Sequence, residues 1–357
     1  MVADTHTLTT LKKEIGKMKS RKWLVKMAFA IFMVLAFSIQ TSSAKTRWRL
    51  QHSWGAAENH FFEHYAEIVK EMSAGEIEIK VFADGELVNV EKLCDAVAAG
   101  TLEMGHTHPD YQMGSVPVGE LESAPYLFAN LKQEMAASYR YGLGDIYKEA
   151  FEKRYRIKVL GFQADDCGAL MFTKEVNSLE DMKGLNINIL DPYATFLHEL
   201  TGASSIYMGP EELYTALSRN VIQGVEYGGA KAMYDMSLHE VTKSFLLPRH
   251  QVAYFPFYFI NKRAWEKLPP NQQAILINAV QANTVYMASF YAEKEQEALR
   301  LMQEKNGIKV THLPEEDIKA ITMKSVNWIQ NDFAKKGPFC KRAADAVLKA
   351  MKDFGRI

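Results

Sequence analysis

Segments with the periodicity of a strand and segments with the periodicity of a helix alternate along the chain, and this alternation restricts the fold to few classes. Residues 48–54, 77–81 and 102–107 have the spacing and apolar content of strands. Residues 61–72 and 87–97 repeat apolar side chains at helical intervals, and a glycine placed to end a helix follows each of them. Strand, helix, strand, helix, strand predicts parallel pairing with right-handed crossovers, and therefore an α/β domain.

A second α/β lobe follows the first. A helical stretch near 132–156 leads to a strand at 157–162, and a new pattern of strand, turn, strand and helix opens at Leu170. Pro210 stands where a further helix begins, because a proline there lacks only an N–H group that would have no partner. No internal repeat or low-complexity linker is present, so we expect crossing strands to join the lobes.

The segment 270–306 is predicted to form one long helix, because no internal proline or glycine interrupts its apolar stripe and Gly307 follows it. The predicted organisation is a signal peptide at 1–44, a first lobe at 45–162 with part of 250–306, and a second lobe at 163–249 with C-terminal segments of 307–357.

Residues 1–44 have the layout of a secretory signal peptide. Seven lysines and arginines precede an apolar run at 27–39, and small residues end at Ala44, where a peptidase would cleave. The alternative is an uncleaved membrane anchor, but the apolar run is shorter than the roughly 20 residues that span a bilayer. The sequence therefore predicts export to the periplasm.

Composition and charge exclude several classes of protein. With 48% hydrophobic and 24% charged residues, the chain has an ordinary globular composition. Beyond residue 44 it carries 35 Lys and Arg against 41 Asp and Glu, and this acidic balance argues against nucleic-acid binding. Cys94, Cys167 and Cys340 are too few and too widely spaced for a disulfide framework or a metal-binding pair, so we expect buried thiols.

Ligands of open α/β sheets bind beyond the carboxyl ends of the strands, and two candidate positions lie there in the first lobe. Trp54 and Glu58 follow the first strand, where they either face a ligand or form a packed tryptophan and a helix cap. His106 and His108 would point the same way if the third strand continued. They either belong to a zinc site that has no third ligand nearby in sequence or are hydrogen-bonded wall residues.

The motif QADDC opens the second lobe with Gln163, Asp165, Asp166 and Cys167. Adjacent carboxylates point to opposite sides of an extended backbone, so at most one of the two faces a cleft. A nucleophile built on Cys167 and a histidine is the enzymatic alternative, but no local signature of a cysteine hydrolase surrounds it.

The motif GVEYGG is the sharpest local signal in the chain. Glycines around Glu226 and Tyr227 would let the backbone approach a ligand closely. The alternative is a tight turn with an outward glutamate.

The ordered set of motifs in the mature chain resembles the solute receptors of TRAP (tripartite ATP-independent periplasmic) transporters, of the DctP type. "AVAAGTLEMG" is similar to a helix-to-strand junction of that family, "LEDMKGLNI" to its "DLKGLKIR" segment, and "EELYTALSRNVIQGVEY" to its "EVYTALQ…VDGQEN" segment. The resemblance implies a two-lobed periplasmic binding protein fold, with a mostly parallel sheet flanked by helices in each lobe and a long C-terminal helix across both. It also implies a receptor that is not an enzyme and that delivers a small solute, commonly an organic acid, to a membrane permease.

One position departs from that pattern, because Asn188 stands where the family has an arginine that pairs with a ligand carboxylate. A guanidinium is a cationic fork of five donors, whereas an amide is neutral and offers both a donor and an acceptor. An anionic solute would therefore need Arg249, His106, a lysine or a bound cation instead. The resemblance also implies that Glu226 keeps the family's acidic residue and that Tyr227 replaces its usual asparagine.

Two hypotheses for the ligand remain open. A polar solute of lower negative charge would stack on aromatic rings while amides hydrogen-bond it, or a calcium or sodium ion held by Glu226 and Asp166 would bridge to a carboxylate. No other cofactor is expected. The predicted binding residues are Trp54, Glu58, His106, Gln163, Asp166, Asn188, Tyr207, Glu226, Tyr227 and Tyr254.

The sequence thus predicts a periplasmic receptor, monomeric or dimeric, that closes two lobes on a solute and passes it to TRAP permease subunits. The rival function is a secreted hydrolase that uses Asp165, Asp166, Cys167 and a histidine, although no paired nucleophile and base is visible in the sequence.

Overall fold

The computed structural model describes residues 9, 10, 12–14, 16, 45–163, 168–252 and 254–357. The signal-peptide prediction for 1–44 falls almost wholly outside these ranges. Within them, no helix combines the length and the apolar character needed to cross a membrane. Residues 46–357 form one unit that contains two β-sheets.

The first sheet has the strand order β2-β1-β3-β10-β4. Strands β1 and β2 and strands β1 and β3 pair in parallel, whereas β10 is antiparallel to both β3 and β4. The strands are β1 (Thr46–His52), β2 (Ile77–Phe82), β3 (Met104–Thr107), β4 (Ile157–Phe162) and β10 (Phe257–Asn261).

The second sheet has the order β11-β9-β5-β8-β6-β7. Strand β5 is antiparallel to both of its neighbours, and the other pairs are parallel. The chain crosses from the first sheet between β4 and β5, returns between β9 and β10, and crosses again through the helix Pro270–Asn306 to β11; the strands that follow the first two crossings, β5 and β10, are the antiparallel ones. The strands are β5 (Ala169–Phe172), β6 (Asn186–Asn188), β7 (Ser204–Ser205), β8 (Gly224–Tyr227), β9 (Ser244–Leu247) and β11 (Lys309–His312).

Helices flank both sheets, which confirms the predicted α/β class and the two-sheet architecture. They are α1 (Asn59–Met72), α2 (Val90–Ala99), α3 (Leu131–Arg140), α4 (Leu143–Arg154), α5 (Tyr193–Thr201), α6 (Pro210–Ser218), α7 (Ala230–Asp235), α8 (Lys262–Glu266), α9 (Pro270–Asn306), α10 (Glu315–Asn331) and α11 (Pro338–Asp353).

The helical stretch expected near 132–156 is divided into α3 and α4. Gly142 has φ +81°, a left-handed backbone conformation that interrupts an α-helix and that glycine adopts without steric penalty. Periodicity alone did not reveal the break, because apolar residues continue on both sides of it.

Helix α9 is the predicted long helix, and it packs on both sheets. Its N-terminal half places Leu276 and Val280 in one buried cluster with Leu50 of β1. Its C-terminal half places Met302 in another buried cluster with Val225 of β8. One continuous helix therefore contributes to the cores of both sheets.

The C-terminal segments divide between the two sheets. Strand β11 extends the second sheet by pairing with β9. Helix α11, in contrast, buries Val347 and Met351 in a cluster with Phe257 of the first sheet. The sequence prediction placed segments of 307–357 with the second lobe, and the strand and the helix thus differ in the sheet that they contact.

The long helix supplies a stability prediction. Leu276 is fully buried, so Leu276→Ala should lower the free energy of unfolding by about 2–5 kcal/mol through lost burial and a residual cavity. Val285 on the same helix is 67% exposed, and Val285→Ala should change it by no more than about 0.5 kcal/mol. Urea unfolding of both variants measures the difference, and equal effects would contradict the described packing of the helix.

Candidate functional site

Glu226 in β8 contacts the segment through which the chain returns to the first sheet. The Tyr254 hydroxyl donates a hydrogen bond of 3.1 Å to Glu226 Oε1. His250 Nε2 lies 3.4 Å from the same oxygen, and the Glu226 side chain is only 17% exposed. Both partners belong to the link between β9 and β10, so this carboxylate connects the second sheet to a crossing segment.

Gly168 lies against the partners of Glu226. A Cβ at this position would stand 2.5 Å from the Tyr254 hydroxyl oxygen and 2.7 Å from His250 Nε2. Both distances are well below van der Waals contact, so any side chain would displace the two groups. The glycine is therefore required by a close approach next to Glu226.

A glycine is required at the start of GVEYGG for a different reason. A Cβ on Gly224 would stand 2.7 Å from the ring of Phe172 on the neighbouring strand β5. This glycine makes room for core packing within the sheet, whereas the sequence had predicted close approach of a ligand.

Trp54 and His108 form a pair at the carboxyl ends of β1 and β3. The indole N–H of Trp54 donates to His108 Nε2 at 2.9 Å. An indole nitrogen is only a donor, so Nε2 must be the accepting nitrogen and the ring proton lies on Nδ1. That protonated nitrogen is 3.8 Å from Glu122 Oε1.

Asp110 and Glu122 are neighbouring carboxylates beside His108. Glu122 Oε1 accepts the backbone N–H of Phe255 at 2.7 Å, and Oε2 accepts that of Asp110 at 3.3 Å. Asp110 Oδ2 accepts a hydrogen bond from the Ser123 hydroxyl at 3.2 Å. Burial, followed by the Glu122 carboxylate, raises the pKa of Asp110 to about 7.

Ring contacts and electrostatics connect these two groups. The rings of His108 and Tyr254 meet edge to face with centroids 5.6 Å apart. Burial raises the pKa of Tyr254 well above its usual value, and the carboxylates of Glu226, Asp110 and Glu122 raise it further. Carboxylates from both sheets therefore act on one tyrosine of the crossing segment.

Nearby carboxylates also raise the pKa of two further tyrosines, Tyr227 and Tyr207. Burial raises the pKa of Tyr227, and Glu58 and Glu226 raise it further. Burial also raises the pKa of Tyr207, with further contributions from Glu226 and Asp110, although 64% of the Tyr207 residue surface is exposed. Both tyrosines come from the second sheet, whereas Glu58 and Asp110 follow strands of the first.

Asn188 ends β6 and is only 3% exposed. Its side-chain Nδ2 donates a hydrogen bond of 3.2 Å to the backbone oxygen of Met208. Asn188 is thus a buried neutral amide.

His106 and Gln163 belong to a fully buried layer of the first sheet. Both ring nitrogens of His106 lack a hydrogen-bond partner among the described residues, and burial lowers its pKa well below the usual value. Gln163 Oε1 accepts from Asn283 of α9 at 3.5 Å, while its Nε2 has no partner in the described part of the chain. The rings of Trp54 and Tyr258 pack around the histidine.

Three residues of the QADDC motif cannot be placed against this group. Asp165, Asp166 and Cys167 lie outside the described residues, which include Gln163 and resume at Gly168. The predicted cation pair of Glu226 and Asp166 and the hydrolase triplet both include residues of this gap.

Among the described residues, His108, Asp110 and Glu122 bring three possible metal-ligand atoms within 4.8 Å of one another. His106, the partner of His108 in the zinc alternative, contributes no atom to this group. The bond from Trp54 fixes the proton on His108 Nδ1, which leaves that nitrogen without a lone pair for a metal. The grouping is thus better suited to sharing protons than to holding zinc.

Sequence reasoning missed Asp110, Glu122 and His250 as site candidates. The sequence did indicate Asp110, because the motif HTHPD places it beyond the end of the third strand, where ligands of open α/β sheets bind. Glu122 had none, because its position depends on tertiary contacts with a segment more than 100 residues away. His250 lies in the largely aromatic and apolar stretch HQVAYFPFYF, and no motif around it indicates a binding role.

A family model described as bacterial extracellular solute-binding protein, family 7, matches residues 51–336. The monocarboxylate 2-oxoacid-binding periplasmic protein of Nostoc sp. is 29% identical over 318 residues, which cover 85% of this chain and 83% of that protein.

Two solved structures share the fold. A TRAP transporter solute-binding protein from Bordetella bronchiseptica, with copurified calcium and picolinate, has a TM-score of 0.77 at 24% identity and covers 87% of this chain and 93% of its own. Another, from Pseudoalteromonas atlantica with bound sodium and pyruvate, has a TM-score of 0.76 at 25% identity and covers 87% of this chain and 95% of its own.

The pKa of Asp110 predicts how stability depends on pH. An unfolded aspartate has a pKa near 3.9, so the folded chain holds this proton more tightly between about pH 4 and 7. The stability that Asp110 contributes is present at low pH and is lost as pH rises through about 7. Asp110→Asn removes this loss and keeps an acceptor for Ser123, so the melting temperature of the variant relative to wild type should be higher at about pH 8 than at about pH 5.

The exposed Glu180 provides the matched control for this measurement. Its side chain is 81% exposed, so Glu180→Gln should give the same difference from wild type at both pH values. A pH-independent effect of Asp110→Asn would contradict the raised pKa.

Proposed function

The chain belongs to the bacterial extracellular solute-binding proteins of family 7, and we propose that it is a TRAP receptor that binds a small polar or organic-acid-like solute between its two sheets. The observation that supports this function most directly is the convergence on Tyr254. Glu226 of the second sheet accepts a hydrogen bond from the Tyr254 hydroxyl. The ring of His108, which follows β3 of the first sheet, contacts the Tyr254 ring. A solute held there would touch both sheets at once.

A receptor acts by closing its two lobes on a solute and not by catalysing a reaction. The chain passes between the sheets twice in this region, once at 163–168 and once at 248–256, and such links are where hinge motions are absorbed. A solute that contacts both sheets favours the closed state by its differential affinity. Closure around the solute is thus the event that the permease would detect.

Five of the ten predicted site residues take a role in this proposal. Trp54, Tyr227 and Tyr254 would supply ring faces, while Asn188 would supply a neutral hydrogen bond in place of the family arginine. Glu226 would contribute a negative charge to the part of the site formed by the second sheet. The other members of the predicted set are Glu58, His106, Gln163, Asp166 and Tyr207.

A bound cation fits part of this site. The similar structures from Bordetella bronchiseptica and Pseudoalteromonas atlantica hold calcium or sodium together with picolinate or pyruvate. In this chain the hydrogen bond from Tyr254 and the contact with His250 both engage Oε1 of Glu226, so Oε2 would face a cation. Such an ion would supply the positive charge that Asn188 does not.

The relatives are substrate-binding receptors, and nothing among them supports the hydrolase alternative. We extend this to the chain itself and propose that it has no enzymatic activity. Relatives are periplasmic, and the basic, apolar and small residues of 1–44 favour the same location through a cleavable signal peptide. The proposed partners are the TRAP permease subunits, and the predicted state is a monomer or a dimer.

A thermal-shift screen of the mature protein tests the function. A receptor gains about RT ln(1 + [L]/Kd) of stability from its solute and releases the solute unchanged. We expect one chemical class among carboxylates, neutral polar solutes and amines to raise the melting temperature and to be recovered intact. Conversion of the solute would support an enzyme, and no response from any class would contradict the receptor.

Substitution at position 188 tests the placement of the missing charge. Asn188→Arg should create affinity for small dicarboxylates, because a guanidinium offers a bidentate contact that an amide lacks. Asn331→Arg, on the exposed end of α10, adds the same charge away from the site and serves as the matched control. Calorimetric titration with succinate measures the gain. A folded Asn188→Arg variant that binds no better than the control would remove Asn188 from the site.

A further inference from the structure

The residues around Tyr254 combine carboxylates with aromatic rings, which is an unusual environment for an anion. Glu226 contacts the Tyr254 hydroxyl, and the Tyr254 ring meets the ring of His108. The His108 ring in turn lies 5.2 Å from that of Tyr111 and accepts the indole N–H of Trp54. From this geometry we infer that the solute carries a protonated amine, held between carboxylates and ring faces. The inference rests on the receptor function proposed above and specifies the charge of its solute.

Carboxylates raise the pKa of the tyrosines in this region. Glu226, Asp110 and Glu122 all raise the pKa of Tyr254, beyond the effect of burial. Burial and then the carboxylates of Glu226 and Asp110 also raise the pKa of Tyr207. A cation entering this region would therefore be attracted, and a free carboxylate would be repelled.

Asp110 offers an acceptor that the protein does not use. Its Oδ2 accepts from the Ser123 hydroxyl, whereas Oδ1 is shielded from solvent and has no hydrogen-bond partner among the described residues. A buried carboxylate oxygen without a donor is costly, so such an atom indicates a missing partner. An ammonium group has three N–H donors and would satisfy Asp110 while leaving donors for Glu226.

The residues that could offset the negative charge of these carboxylates are either neutral or already paired with an acidic residue. Asn188 replaces the cationic residue of the family, and its amide donates to the backbone oxygen of Met208. Arg249 forms an ion pair of 2.8 Å with Glu295 of α9. Aromatic faces complement this charge balance, because their quadrupoles attract ammonium ions within about 6 Å of the ring centre.

A metal ion that bridges to a carboxylate is the competing explanation of the same negative charge. It is disfavoured at His108, because the hydrogen bond from Trp54 keeps the ring proton on the nitrogen that faces Glu122. At Glu226 the Tyr254 hydroxyl and His250 both contact Oε1, so Oε2 could accept either a metal ion or an ammonium group. A calcium-dependent arm of the experiment separates this explanation from the amine.

Three solutes of one shape and different charge make the sharpest test. Lactate, propane-1,2-diol and 1-amino-2-propanol share a three-carbon skeleton and a hydroxyl, and they differ in the group at the end of the chain. Each is titrated into metal-stripped protein by calorimetry, and lactate is repeated with added calcium. Larger amines, alcohols and carboxylates extend the comparison in matched sets of equal size. We expect the amine of a set to bind at least about tenfold more tightly than its neutral and anionic counterparts, as a charge-assisted contact implies.

Charge-removing variants assign the interaction to named carboxylates. Asp110→Asn and Glu226→Gln keep the size of each side chain and should each weaken amine binding about tenfold or more. Glu180→Gln removes an exposed carboxylate of the second sheet and should leave the affinity unchanged. If the two site variants bind the amine as tightly as this control does, the inference fails.

Proton exchange gives a readout independent of affinity. Asp110 has a pKa of about 7, so at neutral pH a fraction of the molecules carries its proton. An ammonium beside it would drive that proton off, whereas an anion would draw a proton in. Titrations near pH 7 in buffers of different ionisation enthalpy should show proton release with the amine, and Asp110→Asn should abolish it. Proton uptake on binding would overturn the inference.

The outcomes separate this inference from the receptor function. Binding of lactate or a larger carboxylate, with or without calcium, and of no amine would overturn the amine while leaving the receptor in place. Binding of neutral solutes alone would do the same. A folded protein that binds no member of any set would overturn both.

Discussion

The carboxylate of Glu226 is the interaction on which the site depends. A buried carboxylate needs a donor, and here the Tyr254 hydroxyl supplies it, while His250 Nε2 lies 3.4 Å from the same oxygen; both side chains belong to the segment that leads back to the first sheet. Gly168 makes these contacts possible, since any larger residue would displace both groups. The second sheet is thus linked to the first through a charged group located where a solute would lie.

The character of that site follows from which charges are present. The fold is shared with receptors whose structures hold picolinate or pyruvate together with a metal ion. In this chain position 188 is a neutral asparagine, and Asp110 and Glu122 are carboxylates beside the first sheet. A shared scaffold does not fix the charge of the ligand, because the side chains that line the site set that charge.

The fold was largely predictable from the sequence, because each element carries its own periodicity. Helix α9 was predicted over its full range, since no proline or glycine interrupts it and Gly307 ends it. The break between α3 and α4 was not, because it depends on the left-handed backbone of Gly142 and not on the apolar pattern.

The candidate site was less predictable than the fold, because its contacts join distant parts of the chain. Motifs identified Glu226 and Asn188 as candidates, although the sequence did not predict that Glu226 lies within a strand. The roles of Glu122 and His108 could not be inferred, since Glu122 accepts a hydrogen bond from the backbone N–H of Phe255 and His108 accepts one from the indole N–H of Trp54. Such pairings arise from tertiary packing, and no local spacing encodes them.

The most direct measurement is a crystal structure of the protein with the tightest-binding member of the matched solute sets. The account predicts an ammonium nitrogen between the two sheets, about 2.7–3.2 Å from a carboxylate oxygen of Asp110 or Glu226, with an aromatic face beside it. A solute carboxylate or a metal ion at that position, or a solute bound away from both sheets, would contradict it.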